Sequence, residues 1–67
     1  MSSENKALTR LRATEKIIRD NKTILVEDLE SLMFYTYGVL PRTVARYLNC
    51  LQKLGKIKLE NGSWVAI

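Results

Sequence analysis

Four polar side chains that can form hydrogen bonds recur at helical spacing in the second half of the chain. They are Arg42, Arg46, Asn49 and Lys53. Positions with this spacing lie on one face of an α-helix, roughly opposite Val44, which stands at the centre of an apolar stripe. Arginine can bond both acceptors of a guanine edge, and asparagine can do the same with adenine. The pattern therefore favours readout of base edges by Arg42, Arg46 and Asn49.

Neighbouring residues are suited to contacts with phosphate groups. Thr43, at the flank of the helix face, suits a phosphate or a thymine methyl group. Lys53, Lys56 and Lys58 suit phosphates, which position a protein on a duplex without specifying its sequence. Five basic residues and no acidic residue lie between positions 39 and 59. Acidic residues gather instead in the preceding helix, at Glu27, Asp28 and Glu30. Basic residues are also ordinary on the solvated face of an amphipathic helix, but this separation of charge favours contact with an anion.

The residue types needed for common catalytic and metal chemistry are missing from the sequence. The chain has no histidine and a single cysteine, Cys50. Acid–base catalysis near neutral pH usually relies on histidine or on paired carboxylates, and a lone thiol cannot close a zinc site. Cys50 has no second cysteine for a redox switch, so we interpret it as a small residue on a helix flank. We expect no enzyme, cofactor or metal, and no small-molecule ligand.

Length and charge indicate one small basic domain. A chain of 67 residues buries only about 60% of the surface that its unfolded form exposes, so we expect marginal stability. The net charge of +4 favours a polyanionic partner. The polar start at 1–5 predicts a flexible N-terminus without a signal peptide, and no apolar run is long enough for a membrane span. With one free cysteine, this predicts a cytoplasmic protein whose domain covers 6–67.

Hydrophobic periodicity and turn residues predict an α+β fold. Gly38 and Gly55 suit the left-handed ends of two helices, Pro41 suits the first position of the next helix, and Asn61-Gly62 is a strong signal for a two-residue hairpin turn. The predicted elements are a helix at 6–19, a short strand at 23–26, a second helix at about 27–35, a third helix at 41–54 and a hairpin at 56–67.

The same periodicity predicts the core. The predicted core positions in the helices are Ala7, Leu11, Thr14, Ile18, Leu29, Leu32, Met33, Thr36, Val44, Tyr47, Leu48 and Leu51. In the hairpin, a two-residue turn pairs Leu59 with Trp64 and Ile57 with Ala66, which places these four side chains on the face toward the helices. We therefore interpret Trp64 as a core residue and not as a platform for stacking bases.

Several apolar residues fall outside these stripes. They are Ile17, Phe34, Tyr35, Tyr37, Val65 and Ile67. Small domains often gain stability by association with a second subunit. We therefore predict a homodimer, with either the aromatic residues of the second helix or the outward face of the hairpin as its interface.

The order of elements and the residues of the third helix resemble the winged helix-turn-helix superfamily. Residues 43–57 carry a threonine and a branched apolar residue, then Arg-aromatic-Leu, a further leucine, a Leu-Gly helix stop and an apolar residue. This series is similar to the recognition helix and first wing strand of that superfamily. Residues 61–64, Asn-Gly-Ser-Trp, look like the turn and return strand of a short wing. The resemblance covers 6–67 and fits small regulators of bacteria, archaea, and archaeal viruses or plasmids.

The resemblance implies a regulator of transcription that binds double-stranded DNA, with helix 41–54 in the major groove and hairpin 56–67 as the wing. The lack of an effector domain favours a simple repressor that blocks a promoter by occupancy, and the expected location of such a regulator is the nucleoid. The implied DNA-binding residues are Arg42, Thr43, Arg46, Asn49, Lys53, Lys56 and Lys58. One departure is Leu40, because the superfamily often has a serine or threonine there that caps the helix and touches phosphate. The wing tip at 60–63 carries only an acidic charge, which predicts weak contacts by the wing.

Other classes of function fit the sequence less well. Winged helices also serve as protein-interaction modules, but the third helix is typically less basic in those proteins. RNA readers need exposed aromatic residues on a basic surface, whereas most aromatic residues here are predicted to be buried or near acidic residues. A membrane-bound helix would need the apolar stripe of the first helix, which the core requires. The protein-interaction module is therefore the main alternative to DNA binding.

Overall fold

Three helices and three short strands follow one another in the order predicted from the sequence. The structure is a computed structural model that describes residues 6–67, so the predicted flexible segment 1–5 lies outside the described residues. The elements are α1 (Lys6–Asn21), β1 (Thr23–Leu25), α2 (Val26–Tyr37), α3 (Pro41–Lys53), β2 (Ile57–Glu60) and β3 (Ser63–Ala66). The α+β class is confirmed. The ends of the predicted helices differ from the observed ends by one or two residues, because helix ends fray and local signals fix them poorly.

The connection between α2 and α3 is short and fully specified by local residues. Gly38 has a φ of 70° and donates its N–H to the carbonyl of Phe34 at 2.8 Å, while the Val39 N–H donates to Met33 at 3.4 Å. The bond from Gly38 to Phe34 is that of the αL motif, in which a left-handed residue, usually glycine, ends a helix. Leu40 is then extended, and Pro41 opens α3. The predicted cap at Gly38 is confirmed.

The three strands form one antiparallel sheet in the order β1-β3-β2, with β3 in the middle. Leu59 pairs with Trp64 and Ile57 with Ala66, as predicted. Asn61 and Gly62 have φ values of 50° and 80°, which fits the two-residue type I′ turn that an Asn-Gly pair favours. β1 also pairs with β3, so that Ile24 lies opposite Trp64. The sequence did not predict this pairing.

The core lies between the helices and one face of the sheet. Its fully buried residues include Ile18 of α1, Leu29 and Met33 of α2, Val44 of α3 and Ile57 of β2. Each of these residues was a predicted core position or hairpin residue facing the helices. The core is therefore built from every helix and from the hairpin, so that α3 is held in place by both the helical layer and the sheet.

Thr14 is a buried polar residue in this core. Its hydroxyl donates to the carbonyl of Arg10 at 2.8 Å, and its oxygen lies 3.5 Å from the sulfur of Met33. The bond within the helix satisfies the hydroxyl, which allows it to occupy an apolar position. This contact also fixes α1 against α2.

Five predicted positions differ from the observed core. Leu59 is 49% exposed, because it lies next to the hairpin turn where the helices do not cover it. Leu32 and Thr36 are exposed because α2 buries only the row formed by Leu29 and Met33. The two remaining positions lie on α1: Ala7 is exposed near the start of the helix, whereas Ile17, predicted to lie outside the core, packs against it.

Candidate nucleic-acid interface

Helix α3 has two faces of opposite character. Val44, Leu48 and Leu51 are buried, and Tyr47 packs against the core from a half-buried position. The opposite side is exposed and consists of Arg42, Arg46, Asn49 and Lys53, which we name the polar face of α3. Their spacing places the four Cα atoms in a row about 16 Å long at a rise of about 1.5 Å per residue. The structure therefore brings together the four residues that the sequence placed on one face.

The cations of the polar face form no ion pair within residues 6–67. The ion pairs of this part of the chain join Lys16 to Asp20, Arg19 to Glu15, and Lys58 to Glu60, all outside α3. The guanidinium groups of Arg42 and Arg46 therefore keep their donors for an external acceptor, and each carries a fixed positive charge. No carboxylate in α3 competes with such an acceptor.

The flanks of this face are occupied by smaller residues. Thr43 is half-buried in the first turn of α3, and its N–H donates to the carbonyl of Leu40 at 2.9 Å. Ala45 and Cys50 are exposed. Small side chains beside long basic ones allow the polar face to approach a partner closely. The predicted position of Cys50 on a helix flank agrees with this arrangement.

The two lysines of the hairpin have different surroundings. Lys56 is exposed just after α3, where its N–H donates to the carbonyl of Leu51 at 2.9 Å. Lys58 follows Ile57 on the strand, so it lies on the sheet face opposite the core, and its Nζ is 3.0 Å from a carboxylate oxygen of Glu60. The structure therefore places Lys56 near the end of α3, but it does not add Lys58 to the polar face.

The ion pair of Lys58 was missed by the sequence interpretation. Residues two apart on a strand lie on the same face of a sheet, so the spacing of Lys58 and Glu60 on β2 was a usable signal. The pair neutralises part of the positive charge that we predicted for the hairpin. Both side chains are about half exposed, so water and salt screen their attraction.

Aromatic residues divide into a buried group and an exposed group. Trp64 is only 7% exposed, as predicted, and its Nε1 has no hydrogen-bond partner among the described residues. Phe34, Tyr35 and Tyr37 are exposed, but they border three different clefts on α2. All three rings are therefore accessible to a partner, and each has different neighbours.

None of the helices in residues 6–67 has the length and apolar character needed to cross a membrane. Comparisons with protein-family models, with curated proteins and with solved structures found no match. Function is therefore inferred from the geometry and charge of the chain itself. In those terms, the polar face of α3 is the surface best equipped to bind an anionic partner.

Proposed function

We propose that this chain is a winged helix-turn-helix protein that binds double-stranded DNA with sequence preference and regulates transcription. The observation that carries the proposal is the polar face of α3, a row of three cations and one amide on a helix whose other side is fixed in the core. The major groove is about 12 Å wide and admits an α-helix. A helix held rigidly from one side can present its other side to base edges.

Within this proposal, the residues of α3 have distinct roles. Arg42 and Arg46 donate to guanine edges, and Asn49 bonds an adenine edge, because these side chains match the acceptors and donors of those bases. Lys53 lies in the last turn and contacts a phosphate. Thr43, from the flank, contacts a phosphate or a thymine methyl group. The base contacts provide sequence preference, and the phosphate contacts fix the register of the helix on the duplex.

The hairpin acts as a short wing with weak contacts. Lys56 is exposed beside the end of α3 and is available to a phosphate, whereas Lys58 shares its charge with Glu60. The tip carries an acidic residue and no arginine, although arginine is typical of proteins that insert into a narrow minor groove. Sequence preference is therefore expected to come mainly from α3.

Occupation of a promoter is the simplest mode of regulation for such a domain. A bound domain that covers a promoter excludes other proteins from it, which gives a repressor-like effect without an effector. We also propose that the chain acts as a homodimer and is associated with the nucleoid, as expected for a small basic DNA-binding protein.

The proposal is tested by fluorescence anisotropy of a labelled DNA duplex titrated with the protein at several salt concentrations. If about four to six phosphates are contacted, log affinity falls against log salt with a slope of about −4 to −5. The Arg42→Ala/Arg46→Ala variant is expected to lose most of the binding. A variant with the same charge change on α1, Lys16→Ala/Arg19→Ala, serves as the matched control and is expected to bind nearly as well as the wild type.

Two results would contradict the proposal. Absence of binding at low salt would favour the protein-interaction module, and a partner would then be sought on the same face. Equal losses in the α3 variant and the α1 control would show that net charge, and not the polar face of α3, governs binding. If binding depends on α3, selection of preferred sites from random duplexes with the wild type and with Asn49→Ala tests sequence readout.

A further inference from the structure

A cleft with positive character lies at the end of α2, next to the α2–α3 connection. It is formed by the start of α1 and the end of α2 and is lined by Lys6, Thr9, Arg10 and Tyr37. We name it the α1–α2 cleft. Its lining consists of two cations and two hydroxyl groups, and no carboxylate is among these residues. Of the four, the sequence predicted a role only for Tyr37, as a candidate for the dimer interface.

The antiparallel packing of α1 against α2 creates this cleft. Thr14 contacts Met33 near the middle of the two helices. One helical turn toward the start of α1 is Arg10, and one turn toward the end of α2 is Tyr37, so both residues reach the same end of the helix pair. The buried contact therefore fixes the relative position of the two sides of the cleft.

Other clefts beside α2 have a different chemistry. The cleft between β1 and α2 includes Asp28, and the cleft beside Phe34 includes Glu30. A carboxylate in each of them opposes the binding of an anion. On α1, the carboxylates of Glu15 and Asp20 pair with Arg19 and Lys16, away from the α1–α2 cleft. Among these three clefts, the α1–α2 cleft alone combines cationic residues with an absence of acidic ones.

We propose that the α1–α2 cleft binds a phosphate group of the DNA backbone. The guanidinium of Arg10 and the ammonium of Lys6 supply charge-assisted hydrogen bonds to the non-bridging oxygens. The hydroxyls of Thr9 and Tyr37 supply further donors. This inference rests on the proposed DNA binding, and it adds a phosphate contact from α1 and α2 to those of α3 and the hairpin.

The location of the cleft suits a phosphate of the same duplex. Tyr37 ends α2, and Arg42 follows five residues later in the first turn of α3. Even a fully extended chain of this length spans only about 17 Å. The cleft and the start of α3 are therefore close enough for a single duplex to contact both.

The experiment compares two double variants of α1 that remove the same charge. Lys6→Gln/Arg10→Gln alters the cleft, whereas Lys16→Gln/Arg19→Gln alters exposed residues two to three turns further along the helix. Affinity for a labelled duplex is measured by anisotropy over a series of salt concentrations. The cleft variant is expected to bind roughly tenfold more weakly, with a salt slope reduced by about 1 and with an unchanged order of preference among duplex sequences. Little change is expected in the control.

A third variant, Tyr37→Phe, removes one hydroxyl while keeping the ring and the net charge. It is expected to weaken binding about threefold at unchanged helical content by circular dichroism. The cleft proposal would be overturned if the two double variants lost DNA affinity equally. It would also be overturned if the cleft variant bound DNA as tightly as the wild type. If Arg42→Ala/Arg46→Ala abolishes binding in the same assay, the proposed function stands even where the cleft proposal fails. A wild type that binds no DNA would overturn both.

Discussion

At the scale of single residues, Leu40 is an unusual start for a helix that is proposed to contact DNA. It occupies the N-cap of α3 with φ −72° and ψ 153°, and its side chain makes no capping hydrogen bond. Only its carbonyl is engaged, by the N–H groups of Thr43 and Val44 at 2.9 and 3.0 Å. Extended backbone at this position is the geometry that a capping serine needs. The N-cap can therefore be improved by a change of side chain alone.

Replacement of Leu40 by serine is expected to add the missing cap. The serine oxygen can accept the N–H of Arg42 or Thr43, a contact that stabilises proteins by about 1 kcal/mol. Leu40→Ala is the control, because it removes the same half-exposed side chain without supplying a cap. Urea denaturation should give Leu40→Ser the higher free energy of unfolding of the two variants. Equal values would show that the start of α3 gains nothing from a side-chain acceptor.

The ion pair between Lys58 and Glu60 provides a test of the hairpin as a wing. Glu60→Gln breaks an exposed pair, so the free energy of unfolding should change by less than about 0.5 kcal/mol. The same substitution frees Lys58, so affinity for DNA should rise and the salt slope should steepen by up to about 1. Glu27→Gln in the first turn of α2 makes the same charge change and breaks no ion pair among the described residues. If both variants gain affinity equally, Lys58 does not contact the DNA.

At the scale of elements, the end of α2 depends on a single glycine. Gly38 is left-handed with a φ of 70°, and a Cβ built on it meets no atom within 4 Å. The cost of Gly38→Ala should therefore come from backbone conformation alone and amount to about 1 kcal/mol. Gly38→Asn should recover part of this loss, because asparagine tolerates the left-handed region. Thermal denaturation that ranks alanine at or above glycine would contradict this explanation.

Local signals were sufficient to predict every helix and the hairpin, because each depends on residues close in sequence. The apolar stripe from Val44 to Leu51 defines the buried side of α3. The polar face of α3 is the side opposite to this stripe. Asn61-Gly62 fixes the turn and thereby the register of β2 with β3. The four residues of the polar face could therefore be named from the sequence.

Features that depend on distant parts of the chain could not be predicted in this way. The exposure of Leu59 depends on how far the helices extend over the hairpin, and the burial of Ile17 depends on what packs beside α1. The pairing of β1 with β3 joins residues about forty positions apart. The α1–α2 cleft likewise arises only when Arg10 and Tyr37 meet through antiparallel packing. No local pattern carries this information.

At the scale of the whole molecule, a core of this size leaves little reserve of stability. Small domains of this kind often depend on association, and Tyr35 and Ile67 remain 89% and 70% exposed on two separate surfaces. We therefore expect light scattering to give a mass of twice 7.7 kDa and a melting temperature that rises with protein concentration. Tyr35→Glu and Ile67→Glu distinguish the two predicted interfaces, because only the change within the interface should lower the mass. A monomer mass at every concentration would refute the homodimer.

The oligomeric state also determines the form of the DNA site. A twofold dimer presents two copies of the polar face of α3, and adjacent major grooves on one side of DNA are about 34–36 Å apart. Site selection should then return inverted repeats whose half-sites are separated by one helical turn, and the salt slope should be about twice that of a single domain. A dimer-disrupting variant should bind a single half-site with the slope of one domain. If a dimeric wild type instead selects single sites without an inverted repeat, its two α3 helices cannot reach the same side of one duplex.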